Sequence, residues 1–173
     1  VATGPAGLTS AVSRTQWCLL TTVLGASHVA WIATWTTASV APSSLIAFLL
    51  LITFSGDAMQ WVWGKALGRH RIAPRISPKK TWEGLLGGAV TVGLIGALVG
   101  PTVLGLPTGL AGLLGLLAVP VGLLGDLVVS AIKRDAGVKD TGTLLPGQGG
   151  LLDRLDGLLF TAPLTAWLAW GLL

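Results

Sequence analysis

Residues 108–134 read TGLAGLLGLLAVPVGLLGDLVVSAIKR, and this stretch decides the fold class. From Thr108 to Val129 it carries one charged residue, Asp126. Its length is close to the roughly 20 residues that cross the hydrocarbon core of a bilayer. Pro120 predicts a kink that neighbouring helices must accommodate. Working outward, similar apolar windows run from about Glu83 to Val103, Ser43 to Trp63, Gln16 to Thr37 and Leu151 to Leu173. The expected architecture is all-α: a polytopic transmembrane helical bundle of about five membrane spans. With no repeat, low-complexity tail or linker, residues 1–173 read as a single integral membrane domain.

Composition excludes the alternatives. Apolar residues make up 52% of the chain and charged residues only 10%, with a mean hydropathy of +0.78. A soluble domain carries charge on about a quarter of its residues, and disorder requires low hydrophobicity. The lone Cys18 forms no internal disulfide, so no oxidised scaffold is implied. A chain that starts at Val1 reads as a fragment or as the product of a non-standard start. Its first apolar stretch, 15–37, exceeds the ~7–15-residue core of a cleavable signal peptide.

The few charges are concentrated. All seven acids and ten of the eleven Lys/Arg residues lie between Asp57 and Asp156, and Arg14 is the exception. Lys65, Arg69, Arg71, Arg75, Lys79 and Lys80 fall within sixteen residues that contain no acid. Turns 38–42 and 101–109 are uncharged, whereas loops 64–82 and 130–150 hold eleven of the eighteen charged residues, nine of them Lys or Arg. Basic loops resist translocation, so the N-terminus and both charged loops are expected on the cytoplasmic side. Most tryptophans fall near predicted span ends, as interfacial belts require, with Trp31 and Trp167 less clearly placed. Gly84/Gly88 and Gly96/Gly100 repeat at the four-residue spacing that lets helices approach closely, which reads as bundle packing.

Carboxylates inside apolar spans carry the functional signal. Asp126 is costly where it stands unless it faces a polar cavity or a cation. Ser130, Lys133 and Arg134 follow at helical spacing, so one face presents all four. Asp153 and Asp156 share a face at the start of the last span, and Asp57 lies in the second. A salt bridge such as Asp126 with Arg154 would explain one of these acids; four at similar depth on three helices point further. Oxygen ligands of this kind suit Mg²⁺, which takes one or two carboxylates plus substrate phosphates and water. No His/Cys cluster suits zinc: Cys18 is isolated, His28 reads as packing and His70 as an interfacial loop residue. Carboxylates beside Lys and Arg suit phosphoryl or nucleotidyl transfer. The glycines of Pro146-Gly147-Gln148-Gly149-Gly150 would let backbone N–H groups approach a phosphate before a helix N-terminus. Positive charge at a bilayer edge is explained by topology, so no nucleic-acid partner is expected.

Ser130-Ala-Ile-Lys-Arg, Lys139-Asp140 and Pro146-Gly-Gln-Gly-Gly-Leu-Leu-Asp-Arg-Leu-Asp156 closely resemble the pattern of phosphatidate cytidylyltransferases, also called CDP-diacylglycerol synthases. Gly64-Lys65, Gly68-Arg69-His70 and Ser77-Pro-Lys-Lys-Thr-Trp-Glu-Gly84 resemble that family's upstream loop. Asp57 stands where members usually have an aspartate, seven residues before Gly64. The resemblance covers 57–156 and implies transfer of CMP from CTP to phosphatidate, giving CDP-diacylglycerol and pyrophosphate. It implies Asp126, Asp153 and Asp156 as ligands of Mg²⁺, with room for a second cation. Lys133, Arg134 and Lys139 would hold phosphates, Asp140 would orient their loop, and Gln148 and Arg154 belong to the same catalytic block. Asp57, Ser77, Lys79, Lys80 and Ser130 would bind substrate.

Two departures stand out. Gln148 replaces the family's usual histidine and cannot titrate near neutral pH. Most members also carry additional N-terminal helices, so this chain corresponds to the C-terminal catalytic part. The implied setting is a bacterial inner membrane, with CTP arriving from the cytosol and phosphatidate from the bilayer. A homodimer is among the assemblies left open. Two other readings remain: a catalytically impaired lipid- or nucleotide-binding relative, and a cation transporter using intramembrane carboxylates.

Overall fold

A computed structural model describes residues 5–35, 40–138, 140–142 and 150–172. The described residues form α1 (Pro5–Thr34), α2 (Pro42–Leu67), β1 (Arg71–Ala73), β2 (Ser77–Thr81), α3 (Trp82–Leu104), α4 (Thr108–Asp135) and α5 (Leu152–Leu172). Four helices are long and apolar enough to cross a membrane: Gly7–Thr34 of α1, then α2, α3 and α4. The protein is an all-α polytopic membrane protein. The expected fifth span falls on the helix α5, whose polar first turns carry Asp153, Arg154 and Asp156; α5 is not among those four.

Local chemistry sets the helix ends. Pro42 occupies the first turn of α2, where a missing N–H costs nothing. Thr81 caps α3 by accepting the Gly84 N–H at 3.2 Å. Gly105, at φ 66°, ends α3 in the left-handed conformation and donates its N–H to Pro101 O. The fourth helix continues past its expected end at Val129 to Asp135, so Ser130, Lys133 and Arg134 are helical. Its last-turn cations oppose the negative end of the helix dipole. Pro120 lies inside the uninterrupted α4.

The third helix shows how the bundle is sorted. Gly84, Gly88, Gly96 and Gly100 are buried, whereas Leu86, Val90, Leu94 and Leu98 are exposed at the same spacing on another face. A Cβ on Gly96 would stand 2.5 Å from Ala111 O of α4, and one on Gly84 would stand 2.6 Å from Gln60 O of α2. Glycine therefore brings backbones together, and the leucine-rich stripe is left for lipid. Phe48, Leu49 and Ile52 of α2, Val92 of α3 and Leu114, Ala118 and Val119 of α4 fill the centre. Ile32 of α1 and Ala162, Ala166 and Ala169 of α5 close the same core.

One segment differs from expectation. Loop 64–82 is not irregular: α2 continues to Leu67, and residues 71–81 form a two-stranded antiparallel hairpin. Arg71 pairs with Thr81 and Ala73 with Ser77, so Pro78, Lys79 and Lys80 together oppose Ile72 in a bulge. Proline is tolerated there because the ladder is already interrupted.

The molecule's uncharged end gathers tryptophans. Trp31 and Trp35 stack at 5.8 Å, and Trp170 lies 5.4 Å from Trp31 and 5.5 Å from Trp35. Trp167 joins at 5.6 Å from Trp31 and donates from Nε1 to His28 Nε2 at 3.1 Å. His28 Nδ1 faces the Leu24 carbonyl at 2.7 Å. These partners select the imidazole tautomer with its hydrogen on Nδ1.

Candidate active site

At the opposite end, α2, the hairpin, α4 and α5 bring their charges together. Asp126 projects from α4, and Ser130 Oγ, one turn on, donates to its Oδ1 at 3.2 Å. The Lys80 ammonium from β2 lies 2.9 Å from Asp126 Oδ2 and 4.0 Å from Asp57 Oδ1 of α2. One cation is thus set between carboxylates of two spans. Asp156, on α5, is buried and feels the like charges of Asp126 and Asp57. Its Oδ1 accepts the N–H of Gly157 at 2.8 Å. Close packing enforces this convergence: a Cβ on Gly125 of α4 would lie 2.5 Å from the Asp156 carbonyl oxygen.

A second ion pair closes the site from the other side. Lys133 Nζ donates to Asp153 Oδ1 at 2.7 Å, and both side chains are largely shielded, at 12% and 8% exposure. The other oxygen, Oδ2, accepts the N–H groups of Thr141 and Gly150, each at 2.8 Å. Asp153 therefore ties the loop before α5 to the end of α4. The Gly150 N–H is spent on this carboxylate rather than offered to a phosphate. Gly150 has a packing reason too, since a Cβ there would meet Thr141 Oγ1 at 2.5 Å.

The remaining expected residues divide. Arg134 is exposed and reaches the Val138 carbonyl at 3.4 Å, and Asp140 and Arg154 are exposed at the same end. Ser77 is half-buried at the start of β2. Lys79 does not join Lys80; it faces a separate cavity with Lys65, Arg69 and Arg71. Lys139 and Gln148 lie outside the described residues.

Two positioning groups escaped sequence reasoning. Glu83 accepts the backbone N–H groups of Arg69 at 3.0 Å and His70 at 3.2 Å, and it meets His70 Nδ1 at 2.6 Å. That carboxylate pins the hairpin to the start of α3. The signal was present, because Glu83 and His70 both belong to the motif block. Gly64, Gly68 and Gly84 complete the joint: a Cβ on Gly64 would lie 3.1 Å, and one on Gly68 2.9 Å, from Thr81 Oγ1. These motif glycines serve the docking of β2 on α2.

The donor set is all oxygen, as a hard divalent cation requires. Among the described residues, no three His, Cys, Asp or Glu side chains are gathered so as to hold a metal ion by themselves. Asp153 is saturated by Lys133 and two backbone N–H groups. Asp126 and Asp156 are the carboxylates left that could hold a magnesium ion, which takes one or two carboxylates and completes its shell with phosphate and water. The Lys80 ammonium beside Asp126 shows that the cluster accommodates positive charge.

Known proteins place this geometry in context. The uncharacterised protein YnbB of Escherichia coli K12 is 48% identical over 160 residues, covering 92% of this chain and 54% of its own. The phosphatidate cytidylyltransferase of Synechocystis sp. is 46% identical over 139 residues, 78% of this chain and 46% of its own. That of Mycobacterium bovis is 42% identical over 132 residues, 76% of this chain and 42% of its own. The chain spans about half the length of the curated relatives it matches. A family match running over residues 5–171 takes in the hairpin, both ion pairs and every acid discussed above, and it shows that the chain belongs to the cytidylyltransferase family.

Proposed function

We propose that the protein is a nucleotidyltransferase that passes CMP from CTP to phosphatidate, giving CDP-diacylglycerol and pyrophosphate. The observation that carries this reading is the Lys80 ammonium between Asp57 and Asp126, beside buried Asp156. In the reaction, a phosphate oxygen of the lipid attacks the α-phosphorus of CTP, and the bond to the β-phosphate oxygen breaks. Catalysis of this kind is mainly positioning and charge stabilisation. Lys80 supplies a donor whose charge is shared with carboxylates until a phosphate arrives, and Ser130 holds the Asp126 carboxylate in place. Lys133 fixes Asp153 and through it the loop that follows α4, where Lys139 and Gln148 would contact phosphate. Arg134 and Arg154 add positive charge at the same end. Magnesium held by Asp126 and Asp156 would neutralise charge on the attacking and leaving oxygens. A site at helix ends admits a lipid whose chains stay in the bilayer and a nucleotide from water. The excess of Lys and Arg in this end's loops supports a location on the cytoplasmic side, in a bacterial inner membrane.

The test is incorporation of labelled CTP into lipid by the purified chain with magnesium and phosphatidate, with the Synechocystis enzyme assayed in parallel. A lipid-extractable cytidine product is expected. A monodisperse sample that makes none while the longer enzyme does so would reject the assignment for this chain.

A further inference from the structure

The cavity that receives Lys79 is distinct from the acidic cluster that receives Lys80. Its volume is about 380 Å³, and its lining includes Lys65, Arg69, Arg71, Lys79 and Trp61. That volume lies in the ~300–1,000 Å³ range of small-ligand sites. Among the described residues that line it, none is acidic. None of its four cations takes part in an ion pair with a described carboxylate. Glu83, the acid of this segment, is engaged by the N–H groups of Arg69 and His70 and by the His70 ring. Four uncompensated cations around one concavity attract an anion, and guanidinium forks favour phosphate.

Position selects the kind of anion. Trp61 lines the cavity, is 64% exposed and lies 5.1 Å from the Lys65 ammonium. Trp82, 51% exposed, begins the next span beside it. Exposed tryptophans at the ends of two spans mark headgroup depth, where lipid phosphates are concentrated. We propose that this cavity binds the headgroup phosphate of an anionic phospholipid other than the reacting lipid, anchoring the hairpin to the membrane surface. The anchor is independent of the cytidylyltransferase reading.

Native mass spectrometry of the purified full chain, in detergent doped with equal phosphatidylglycerol and phosphatidylcholine, tests this. Wild type is expected to retain phosphatidylglycerol preferentially. The double variant Arg69→Gln/Arg71→Gln should lose retention roughly thirtyfold, about fivefold per cation removed. Lys79→Gln, on an exposed strand residue, should lose about fivefold and covers the case in which the double variant misfolds. Asp126→Asn should keep wild-type retention whether or not CTP is turned over, which separates failure of the anchor from failure of the catalytic reading. Equal retention of the two lipids by wild type, or undiminished retention in the variants, overturns the proposal. So does displacement of the lipid by excess inorganic pyrophosphate that also binds lipid-free protein, since the cavity would then serve soluble phosphate.

Discussion

The two ends of the bundle solve the same problem with opposite chemistry. At one end, Trp31, Trp35, Trp167 and Trp170 pack ring against ring, with His28 as the polar partner. At the other, Lys80 and Lys133 neutralise acids from three helices. Aromatic packing gives about 0.5–1.5 kcal/mol per ring pair without burying charge. Buried ion pairs recover the cost of desolvating their charges only with good geometry, and apolar residues of similar size often stabilise as well or better. Stability alone does not call for Asp126, Asp153 and Asp156. Their presence at one end and not the other fits the chemistry on phosphates proposed above.

The largest effect expected comes from breaking the buried pair. Lys133→Met leaves Asp153 without its ammonium partner and should cost about 3–5 kcal/mol, whereas Lys133→Met/Asp153→Asn, which removes the unpaired charge and keeps an oxygen acceptor for the Thr141 and Gly150 N–H groups, should recover part of it. Thermal unfolding in detergent reads both, and equal melting of wild type and the single variant would erase the contrast between the ends. Asp126→Asn should keep the helical content and lower turnover about 10²–10³-fold, the usual range for removing one electrostatic group from a reacting site. A near-wild-type rate of CTP incorporation would move the chemistry away from α4. Next, Gly96→Leu should destabilise by roughly 1–3 kcal/mol through overpacking against Ala111, with Leu98→Ala, on the exposed stripe, close to neutral by comparison. At the aromatic end, Trp170→Ala should cost about 1 kcal/mol per lost ring contact and leave the CTP KM unchanged. A shifted KM would mean that the two ends communicate.

Much of the bundle was legible because hydrocarbon thickness is a severe filter. Apolar windows near Thr108 and Glu83 marked α4 and α3 to within a few residues at their starts. The Asp126–Ser130 pair was legible as well, since helical spacing alone puts both on one face. What stayed hidden depended on partners distant in sequence. Lys133 meets Asp153 across twenty residues, and Lys80 meets Asp126 across the whole of α3, pairings that no local period encodes. The hairpin was unreadable because its strands are short and Pro74, Pro78 and four cations mask any alternation. Lys79 and Lys80 therefore read as one patch. The apolar span was ended at Val129 because Ser130, Lys133 and Arg134 are polar, although their spacing from Asp126 already read as helical, and the helix runs on to Asp135.

Three residues facing one across the β-ladder also make the hairpin a sorting device. Adjacent lysines of identical chemistry are dealt to different addresses, one to the carboxylates and one to the basic hollow at the rim. The allotment is written in spacing and not in side-chain type. Deleting a single residue between Ser77 and Thr81 would therefore rewire the electrostatics of both compartments at once, although every charge in the protein would still be present.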